Sequence, residues 1–412
     1  MADNINLSGT AEEVGFAYGC AIKETARSAI KAFEKTYGEK GYDPDLIVRK
    51  RHCFEDIVLS LAPWWLEEHR GYARGIDIEE ERFNAFQAVR DVAPAFLTGC
   101  TSFISPIPGG TLIHKNRDYK VSPQSLFVKH IEGTYGYIGS VEAGNTGTAY
   151  FLNEKGLCCI SNTGSPTEDC AQAGITEHLV MRLLAEKAAS CREALEIIRE
   201  IISRRIFASK KNGFIFIIAD NNSGLVVEAT CSHMDYTEIK ETEVYSNLFL
   251  LPSMKKWESE VPEKWRKSSD QRLERGRQLV EELENTVEGA RKFSRDNKGE
   301  VAICRDMTVS AMTFLLHKDR DVPDRAWICM GNPLYSCYIP LSVEMKSIPR
   351  FLVDGTLWNM SHALEQKRIS PDFREWEQEN IMPYINGYSE EDAVQIIGDY
   401  CEYMRERESD SN

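Results

Sequence analysis

The hydrophobic pattern of this chain changes at residue 99, and the change restricts the folds open to it. From residue 11 to about residue 95, apolar side chains recur every three or four positions, as on amphipathic helices. After Leu97-Thr98-Gly99 the chain continues as CTSFISPIPGGTLIHKNRDY, two short β-like runs around a Pro-Gly-Gly turn. That pattern predicts a β-hairpin. A helical region therefore precedes a sheet, and the two meet at the Gly99-Cys100 pair.

Further along the chain, helical and strand-like segments come in groups rather than in strict alternation. Such groups favour an α+β fold of stacked layers with largely antiparallel sheets over repeated βαβ units. Thr10 and Asp43 are placed to cap helices, and Ser389 is placed to cap a final helix before an acidic tail. Predicted strands lie at 125–131, 136–141, 148–152, 157–161, 212–219, 224–230, 307–317 and 325–330, and predicted helices at 44–61, 64–74, 78–92, 176–188, 191–203 and 269–288.

No Pro/Gly/Ser-rich linker divides the 412 residues, which predicts one compact catalytic body with peripheral helices. We expect residues 1–99 to form a helical N-terminal segment and residues 100–350 the catalytic core. Residues 351–412 then form a C-terminal extension that ends in a helix and an acidic tail.

Composition excludes several classes of function. The net charge of -15 opposes binding to a phosphate backbone, so we expect no nucleic-acid partner. No apolar run reaches the roughly 18 residues of a membrane span, and the first residues lack the pattern of a signal peptide. We therefore expect a cytoplasmic protein whose twelve cysteines are reduced. No CxxC pair occurs and the histidines are scattered, so the sequence predicts no metal and no cofactor.

Cys100 is the cysteine whose setting suggests chemistry. If the Gly99–Cys100 bond is cut, the new α-amine lies beside the thiol, and its reference pKa of about 7.7 to 8.0 suits a general base. The same sulfur can make the cut by attacking the Gly99 carbonyl, because a glycine without Cβ leaves that carbonyl accessible. A Gly-Cys pair by itself is more typical of a buried cysteine beside a turn.

The surrounding motifs resemble the acyl-coenzyme A:6-aminopenicillanic-acid acyltransferase family of Ntn hydrolases, which includes isopenicillin N acyltransferase. The resemblance covers residues 7 to 345 and begins with the segment SGTAEEVGFAYG and the helix WLEEHRGYARGIDI. GCTS and HKNRDY follow in the family's order, with an aspartate eighteen residues after the cysteine. The resemblance implies a four-layer αββα Ntn-hydrolase sandwich. It also implies self-cleavage between Gly99 and Cys100.

Carried over by position, the resemblance implies roles for two residues of the HKNRDY strand. Asp118 would hold the new ammonium of Cys100 or polarise its thiol, although an aspartate is also common at the end of a strand. Lys115 falls where the related choloylglycine hydrolases have an arginine that contacts the nucleophile. It keeps the positive charge but lacks the planar guanidinium, and a surface lysine is an alternative interpretation.

The resemblance also implies groups that stabilise the oxyanion. Asn247, in the segment VYSNLFL, matches the family's asparagine, and the backbone N–H near Asn162 is a second candidate. Either asparagine could instead end a strand. Arg272 and Arg275 match a helix start of the family and could reach the site or a substrate carboxylate. An i,i+3 arginine pair is equally consistent with salt bridges on a solvated helix face.

The leading hypothesis is a self-processing N-terminal-cysteine amidohydrolase or acyltransferase that forms a thioester on Cys100. Its substrate would be a small N-acyl amide or acyl thioester. Two alternatives stay open: a cysteine amidase that is never cut, and a non-catalytic binding protein that kept the fold. The acyl and amine partners, the use of coenzyme A thioesters and the oligomeric state, including a homo-oligomer, are not decided by the sequence.

Overall fold

The computed structural model describes residues 4–39, 43–89, 99–119, 122–169, 174–208, 211–298, 301–368, 373–385 and 387–410. The strands are β1 (Asn4–Ile5), β2 (Ser8–Gly9), β3 (Gly99–Ile107), β4 (Gly110–Asp118), β5 (Gln124–Ile131), β6 (Tyr137–Glu142), β7 (Tyr150–Asn153), β8 (Cys158–Pro166), β9 (Asn212–Ala219), β10 (Gly224–Ala229), β11 (Met234–Glu238), β12 (Glu243–Tyr245), β13 (Thr308–His317), β14 (Arg325–Met330), β15 (Tyr338–Leu341) and β16 (Ile348–Pro349). The helices are α1 (Ala11–Ala21), α2 (Lys23–Glu39), α3 (Pro44–Leu61), α4 (Trp64–Gly75), α5 (Glu80–Val89), α6 (Glu177–Lys187), α7 (Cys191–Ser203), α8 (Pro252–Lys255), α9 (Glu263–Glu282), α10 (Val287–Ser294), α11 (Arg350–Val353), α12 (Thr356–Gln366), α13 (Phe373–Asn380) and α14 (Glu390–Asp410).

The predicted hairpin after residue 99 lies at the centre of a six-stranded antiparallel sheet. The strand order is β12-β3-β4-β13-β14-β15. Strands β3 and β4 pair along their whole length, with Cys100 opposite Arg117 and Ser102 opposite Lys115. The cysteine therefore occupies the second position of an inner, buried strand.

An eight-stranded sheet packs against the first one. Its order is β11-β10-β9-β8-β7-β6-β5-β2, and its pairs are antiparallel except for β2, which runs parallel to β5. Strand β1 pairs with β16 near the end of the core. The N-terminal segment thus adds short strands to the molecule as well as helices.

Helices cover the outer faces of both sheets. Helices α9 and α10 pack on the six-stranded sheet, α6 and α7 pack on the eight-stranded sheet, and β3 meets β8 between the sheets. The side chains of β9 and β10 are buried along their whole length, as expected for a sheet covered on both faces. The predicted four-layer αββα architecture with largely antiparallel sheets is confirmed.

Helices α1 and α4 cross closely because each presents two glycines at an interval of four residues. A Cβ atom added to Gly15 would lie 2.1 Å from the carbonyl oxygen of Glu68. One added to Gly71 would lie 2.0 Å from the carbonyl oxygen of Glu12. No side chain fits at either position, so the backbones themselves are in contact.

Several predicted helix bounds are confirmed. Thr10 and Asp43 are the N-caps of α1 and α3, and their side chains accept the N–H groups of Glu13 and Asp45. Helix α7 begins and ends as predicted. The apolar periodicity after Thr10 predicts a single helical stretch over 11–37. The structure divides this stretch into two helices, because α1 ends at Ala21 and α2 begins at Lys23.

The predicted helix 269–288 is wrong at both ends. Helix α9 begins earlier, at Glu263, and ends at Glu282. Thr286 then opens a separate helix, α10, by accepting the N–H of Gly289. A side-chain cap inside an amphipathic stretch divided it, although the apolar periodicity continues across the break. Residues 90–92 of the predicted helix 78–92 lie outside the described residues.

The C-terminal residues pack on the edge of the six-stranded sheet. Helix α12 contacts β14 and α14 contacts β15. Ser389 caps α14 as predicted, by exchanging hydrogen bonds with Asp392. The predicted acidic tail is instead helical as far as Asp410. The division at residues 99 and 350 stays a prediction. Within the part of the chain that the structure describes, no helix combines the length and apolarity of a membrane span.

Candidate active site

The alternation of side chains along β3 and β4 sorts the candidate residues onto two faces. Cys100 and Ser102 share a face with their partners Arg117 and Lys115. This face points to the other sheet, since Ser102 Oγ donates to Asn162 Oδ1 of β8 at 2.8 Å. Thr101, Asn116 and Asp118 occupy the opposite face. That face points to the helices, since Asn116 Nδ2 donates to the carbonyl of Ser294 in α10 at 2.9 Å.

Asn247 lies level with Cys100 because β12 pairs with β3. Tyr245 is opposite Ser102, and Asn247 follows two residues later. The backbone N–H of Cys100 donates to Asn247 Oδ1 at 3.1 Å. Asn247 Nδ2 donates to the carbonyl of Thr163 at 2.8 Å, and an amide nitrogen has a second N–H to offer. The asparagine therefore holds the backbone nitrogen of Cys100 and presents a donor beside it.

Arg272 of α9 donates hydrogen bonds to both Cys100 and Asn247. Its Nη1 donates to the carbonyl oxygen of Cys100 at 2.5 Å and to Thr101 Oγ1 at 3.0 Å. Its Nη2 donates to Asn247 Oδ1 at 2.6 Å. Burial lowers the pKa of Arg272 to about 10, against the raising effect of Asp118. Its hydrogen bonds position backbone and asparagine, so this arginine orients the site from the helix side.

Asp118 is buried on the helix face, beside the α-carbon of Gly99 rather than beside the thiol. Its carboxylate accepts from Arg305 Nη1 at 3.0 Å and from Thr308 Oγ1 at 2.7 Å. Burial raises the pKa of Asp118, while Arg305 and Arg272 lower it. A Cβ on Gly99 would lie 3.2 Å from Asp118 Oδ2 and 2.9 Å from Arg305 Nη1. Glycine at position 99 thus leaves room for these groups against the Gly99–Cys100 peptide bond.

Lys115 is buried on the face of the thiol, not exposed on the surface. Its Nζ donates to the carbonyl oxygen of Ser161. Burial lowers its pKa, and a hydrogen bond and the charge of Cys100 oppose this. The neighbouring Arg117 is paired with Glu142 and donates to Gln124 Oε1 at 2.6 Å. The Lys115 amine therefore lies within reach of Cys100, and burial favours its neutral form.

Two other sequence candidates have structural contacts. Asn162 is fully buried, accepts from Ser102, and donates through Nδ2 to the carbonyl of Ser246 at 3.0 Å. Its side chain ties β8 to β3 and to the segment that carries Asn247. Arg275 points away from Cys100 and pairs with Asp296 at 2.6 Å. Of the two predicted arginines, Arg272 contacts Cys100 and Arg275 does not.

Sequence reasoning did not identify three residues that hold the site. Arg305 pairs with Asp118 across 187 residues of chain. Ser269 accepts the N–H of Asn247 at 3.0 Å, and Thr308 donates to Asp118. Single arginines, serines and threonines occur throughout the chain without a distinguishing motif. The pairing of β13 with β4 places Thr308 opposite Asp118, and this pairing is a feature of the tertiary structure.

The described residues contain no group of three or more His, Cys, Asp or Glu side chains arranged to hold a metal ion. Eleven cysteines of the described ranges are free thiols, and Cys170 lies outside those ranges. Cys100 is one of the buried ones, at 5% exposure. What distinguishes it is the set of polar groups around its backbone nitrogen and its sulfur.

Two antiparallel sheets between helical layers, with a buried cysteine at the start of a central strand, define an α+β protein of the αββα class. The chain belongs to the acyl-coenzyme A:6-aminopenicillanic acid acyl-transferase family, whose model matches residues 107–335. This membership confirms the resemblance seen in the sequence and supports amidohydrolase or acyltransferase activity in general. The matched segment begins after Cys100 and includes Asp118 and Asn247.

Solved structures of two related activities align with part of the chain. The Caenorhabditis elegans ortholog of N-acylethanolamine-hydrolyzing acid amidase is 15% identical, with a TM-score of 0.39. The alignment covers 52% of this chain and 92% of that one. A variant of conjugated bile acid hydrolase from Clostridium perfringens is 18% identical, with a TM-score of 0.27 over 44% of this chain and 58% of that one. No curated protein sequence matches significantly. Such TM-scores carry no inference about this chain.

Proposed function

We propose that this protein is a self-processing amidohydrolase or acyltransferase whose nucleophile is Cys100. The observation that carries the proposal is the hydrogen bond from the Cys100 nitrogen to Asn247, with Arg272 binding both residues. Any buried backbone N–H needs an acceptor, but here the acceptor is a side-chain amide that a buried arginine holds in place. An enzyme that converts this nitrogen into a catalytic amine needs groups of this kind around it.

The proposed cut uses the groups on the thiol face. Lys115 is the titratable amine within reach of the sulfur, and it takes the thiol proton. The thiolate attacks the carbonyl carbon of Gly99, and the bond from this carbon to the Cys100 nitrogen breaks as the nitrogen receives a proton. Water then attacks the thioester, which leaves a carboxyl group on Gly99 and restores the thiol.

In the cut enzyme the free α-amine of Cys100 acts as the base. It takes the thiol proton while the sulfur attacks the substrate carbonyl, and it returns the proton to the leaving amine. Asn247 Nδ2 donates to the oxyanion that forms. Asp118, buried beside Gly99, compensates the ammonium form of the new amine. The products of this half-reaction are a thioester on Cys100 and a free amine.

The acceptor then decides between hydrolysis and transfer. Water yields a carboxylic acid, whereas a second amine yields a new amide, and both reactions regenerate the thiol. The family's name specifies an acyl thioester donor and an amine acceptor. We propose a small N-acyl amide or acyl thioester as the substrate of this chain. The cytoplasmic location and a homo-oligomeric state stay predictions.

Intact-mass spectrometry on the purified protein and on Cys100→Ala tests the proposal. We expect two fragments from the wild type, divided between Gly99 and Cys100, and a single uncut chain from Cys100→Ala. Cys401→Ala is the matched control, because Cys401 is an equally buried thiol on α14, and this variant should be cut normally. An uncut wild type after long incubation would contradict self-processing. It would favour an uncleaved cysteine amidase or a non-catalytic binding protein.

A further inference from the structure

The loop that carries Asn247 is held through its backbone by side chains from separate elements. This loop, residues 246–251, connects β12 to α8. The N–H of Asn247 donates to Ser269 Oγ of α9 at 3.0 Å. The N–H of Phe249 donates to Ser165 Oγ of β8 at 2.8 Å. The position of the asparagine thus depends on acceptors supplied from both helix and sheet.

Glu228 of β10 binds the next two N–H groups of the loop. Its Oε1 accepts from Leu250 at 2.7 Å and its Oε2 accepts from Leu251 at 3.1 Å. Glu228 itself is fully buried. An ionised carboxylate accepts at both oxygens, whereas a protonated carboxyl or an amide has a donor on one side. Only the ionised form satisfies both loop N–H groups.

We propose that ionised Glu228 is a positioning residue that fixes the 246–251 loop and thereby the Asn247 amide against Cys100. The anchored N–H of Leu250 is three residues from Asn247, with Phe249 held between them. The loop therefore has little freedom to move without moving the amide. Because an amide displaced by a fraction of an ångström loses its alignment with the oxyanion, loosening the loop lowers the rate. This inference rests on the proposed function.

The charge state of Glu228 makes this anchor sensitive to pH. Burial raises the pKa of Glu228 to about 7, against the lowering effect of the two backbone N–H groups. The other charged or titratable groups that face it are Glu258, which raises its pKa, Lys255, which lowers it, the phenol of Tyr245, and Asp235, its cross-strand partner on β11. Below about pH 7 the carboxyl is protonated and one loop N–H loses its acceptor. The anchor is complete only above that pH.

Hydrogen exchange tests the anchor without any need for activity. We expect the protection factor of the peptide containing Leu250 and Leu251 to fall about tenfold in Glu228→Gln. This is the effect of one lost hydrogen bond to a charged group. In the wild type, protection corrected for intrinsic exchange should fall by a similar factor as the pH drops through about 7. Glu238→Gln, an exposed glutamate on the adjacent strand β11, is the matched control and should behave as the wild type. Equal protection in Glu228→Gln and wild type at every pH would overturn the inference.

The rate of self-cleavage tests the consequence for chemistry. Newly synthesised wild-type protein should be cut faster as the pH rises through about 7. Glu228→Gln should be cut about tenfold more slowly above that pH and should lack this step in the profile. Glu228→Asp keeps the charge on a shorter side chain, so it should be slower but retain the step. A merely structural role would slow both variants without separating their pH profiles.

The two levels of failure are distinguishable. A wild type that is never cut would refute the proposed function, while the exchange measurement would still decide whether Glu228 anchors the loop. If Glu228→Gln does not fold, two other measurements still test the inference. They are the pH dependence of amide protection in the wild type and the cleavage rate of Glu228→Asp. Cleavage of Glu228→Gln at the wild-type rate and pH profile would overturn the positioning role even if the loop were less protected.

Discussion

At the scale of single residues, the charge of Asp118 depends on its arginine neighbours. Burial raises the pKa of this carboxyl, and Arg305 and Arg272 oppose that effect. Arg272 is already bonded to Cys100 and Asn247, so Arg305 is the arginine that pairs directly with the carboxylate. If the chain is cut before Cys100, the new ammonium therefore relies on Arg305 for an ionised partner.

We predict that Arg305→Ala raises the pKa of Asp118 by about one unit or more, because a paired arginine lowers a carboxyl pKa by this amount. The hydrolysis of a small N-acyl amide by the cut enzyme should then require a higher pH, and its pH profile should shift upward by the same interval. The measurement is the rate of this hydrolysis as a function of pH. Arg275→Ala is the control, since Arg275 pairs with Asp296 outside the site. A profile that moves equally in both variants would contradict a specific role for Arg305.

At the scale of secondary structure elements, the contact between α1 and α4 depends on glycine. The Cβ positions of Gly15 and Gly71 are occupied by backbone atoms of the facing helix. Backbone cannot move aside as a flexible side chain can, so the helices would have to separate.

We predict that Gly71→Ala lowers the free energy of unfolding by about 1–3 kcal/mol, the typical cost of overpacking. Urea denaturation followed by circular dichroism measures the change. Gly38→Ala is the control, because a Cβ at this exposed position of α2 meets no atom within 4 Å. That variant should keep or slightly raise the stability, since alanine favours the helix. Equal stabilities of Gly71→Ala and Gly38→Ala would show that the helices can separate freely.

At the scale of the whole molecule, a buried ionic cluster joins the N-terminal segment to the core. Glu68 of α4 pairs with Lys129 of β5 at 2.8 Å and with Arg182 of α6. Glu186 pairs with Arg182 at 2.7 Å and accepts from the indole of Trp65 at 2.6 Å. These four charged side chains are almost completely buried. If the chain is cut after Gly99, this cluster lies across the boundary between the two fragments.

We predict that the fragments stay associated after cleavage and that Glu68→Gln destabilises the protein by about 3–5 kcal/mol, because it leaves buried cations without their partner. Size-exclusion chromatography tests the association, and urea denaturation measures the free energy of unfolding. Glu67→Gln is the control, an exposed neighbour on the same helix. Unchanged stability of Glu68→Gln would mean that the ionic cluster does not stabilise the contact between the N-terminal segment and the core.

The same carboxylate predicts behaviour in acid. Burial raises the pKa of Glu68, but Arg182 and Lys129 lower it more strongly, to about 2. A group whose pKa is lower in the folded state contributes its full stability above its unfolded value, and this contribution is lost as the pH falls toward about 2. The association of the wild-type fragments in size-exclusion chromatography should therefore be strongest above about pH 4.5, the ordinary value for glutamate, and weaken progressively as the pH falls toward about 2.

Local sequence determined much of the secondary structure. The hairpin at 99–118 and the bounds of α7, β9 and β14 follow from apolar periodicity and turn residues, and Thr10, Asp43 and Ser389 act as the caps that their positions predict. These features depend on residues close in the chain, so a pattern can reveal them. The division of 263–294 into α9 and α10 was missed because the apolar pattern does not record a cap.

The family and its order of motifs were also visible in the sequence, and with them Cys100, Asp118, Asn247 and Arg272 as candidates. Only the tertiary structure decided that Asp118 lies on the face of the sheet away from the thiol and that Lys115 is buried on the same face as the thiol. It also decided that Arg275 pairs with Asp296 and not with the site. Arg305 and Glu228 act through groups 187 and 22 residues away. Such contacts arise from strand pairing and layer packing, because burial makes a charged group depend on whichever partner the fold brings to it.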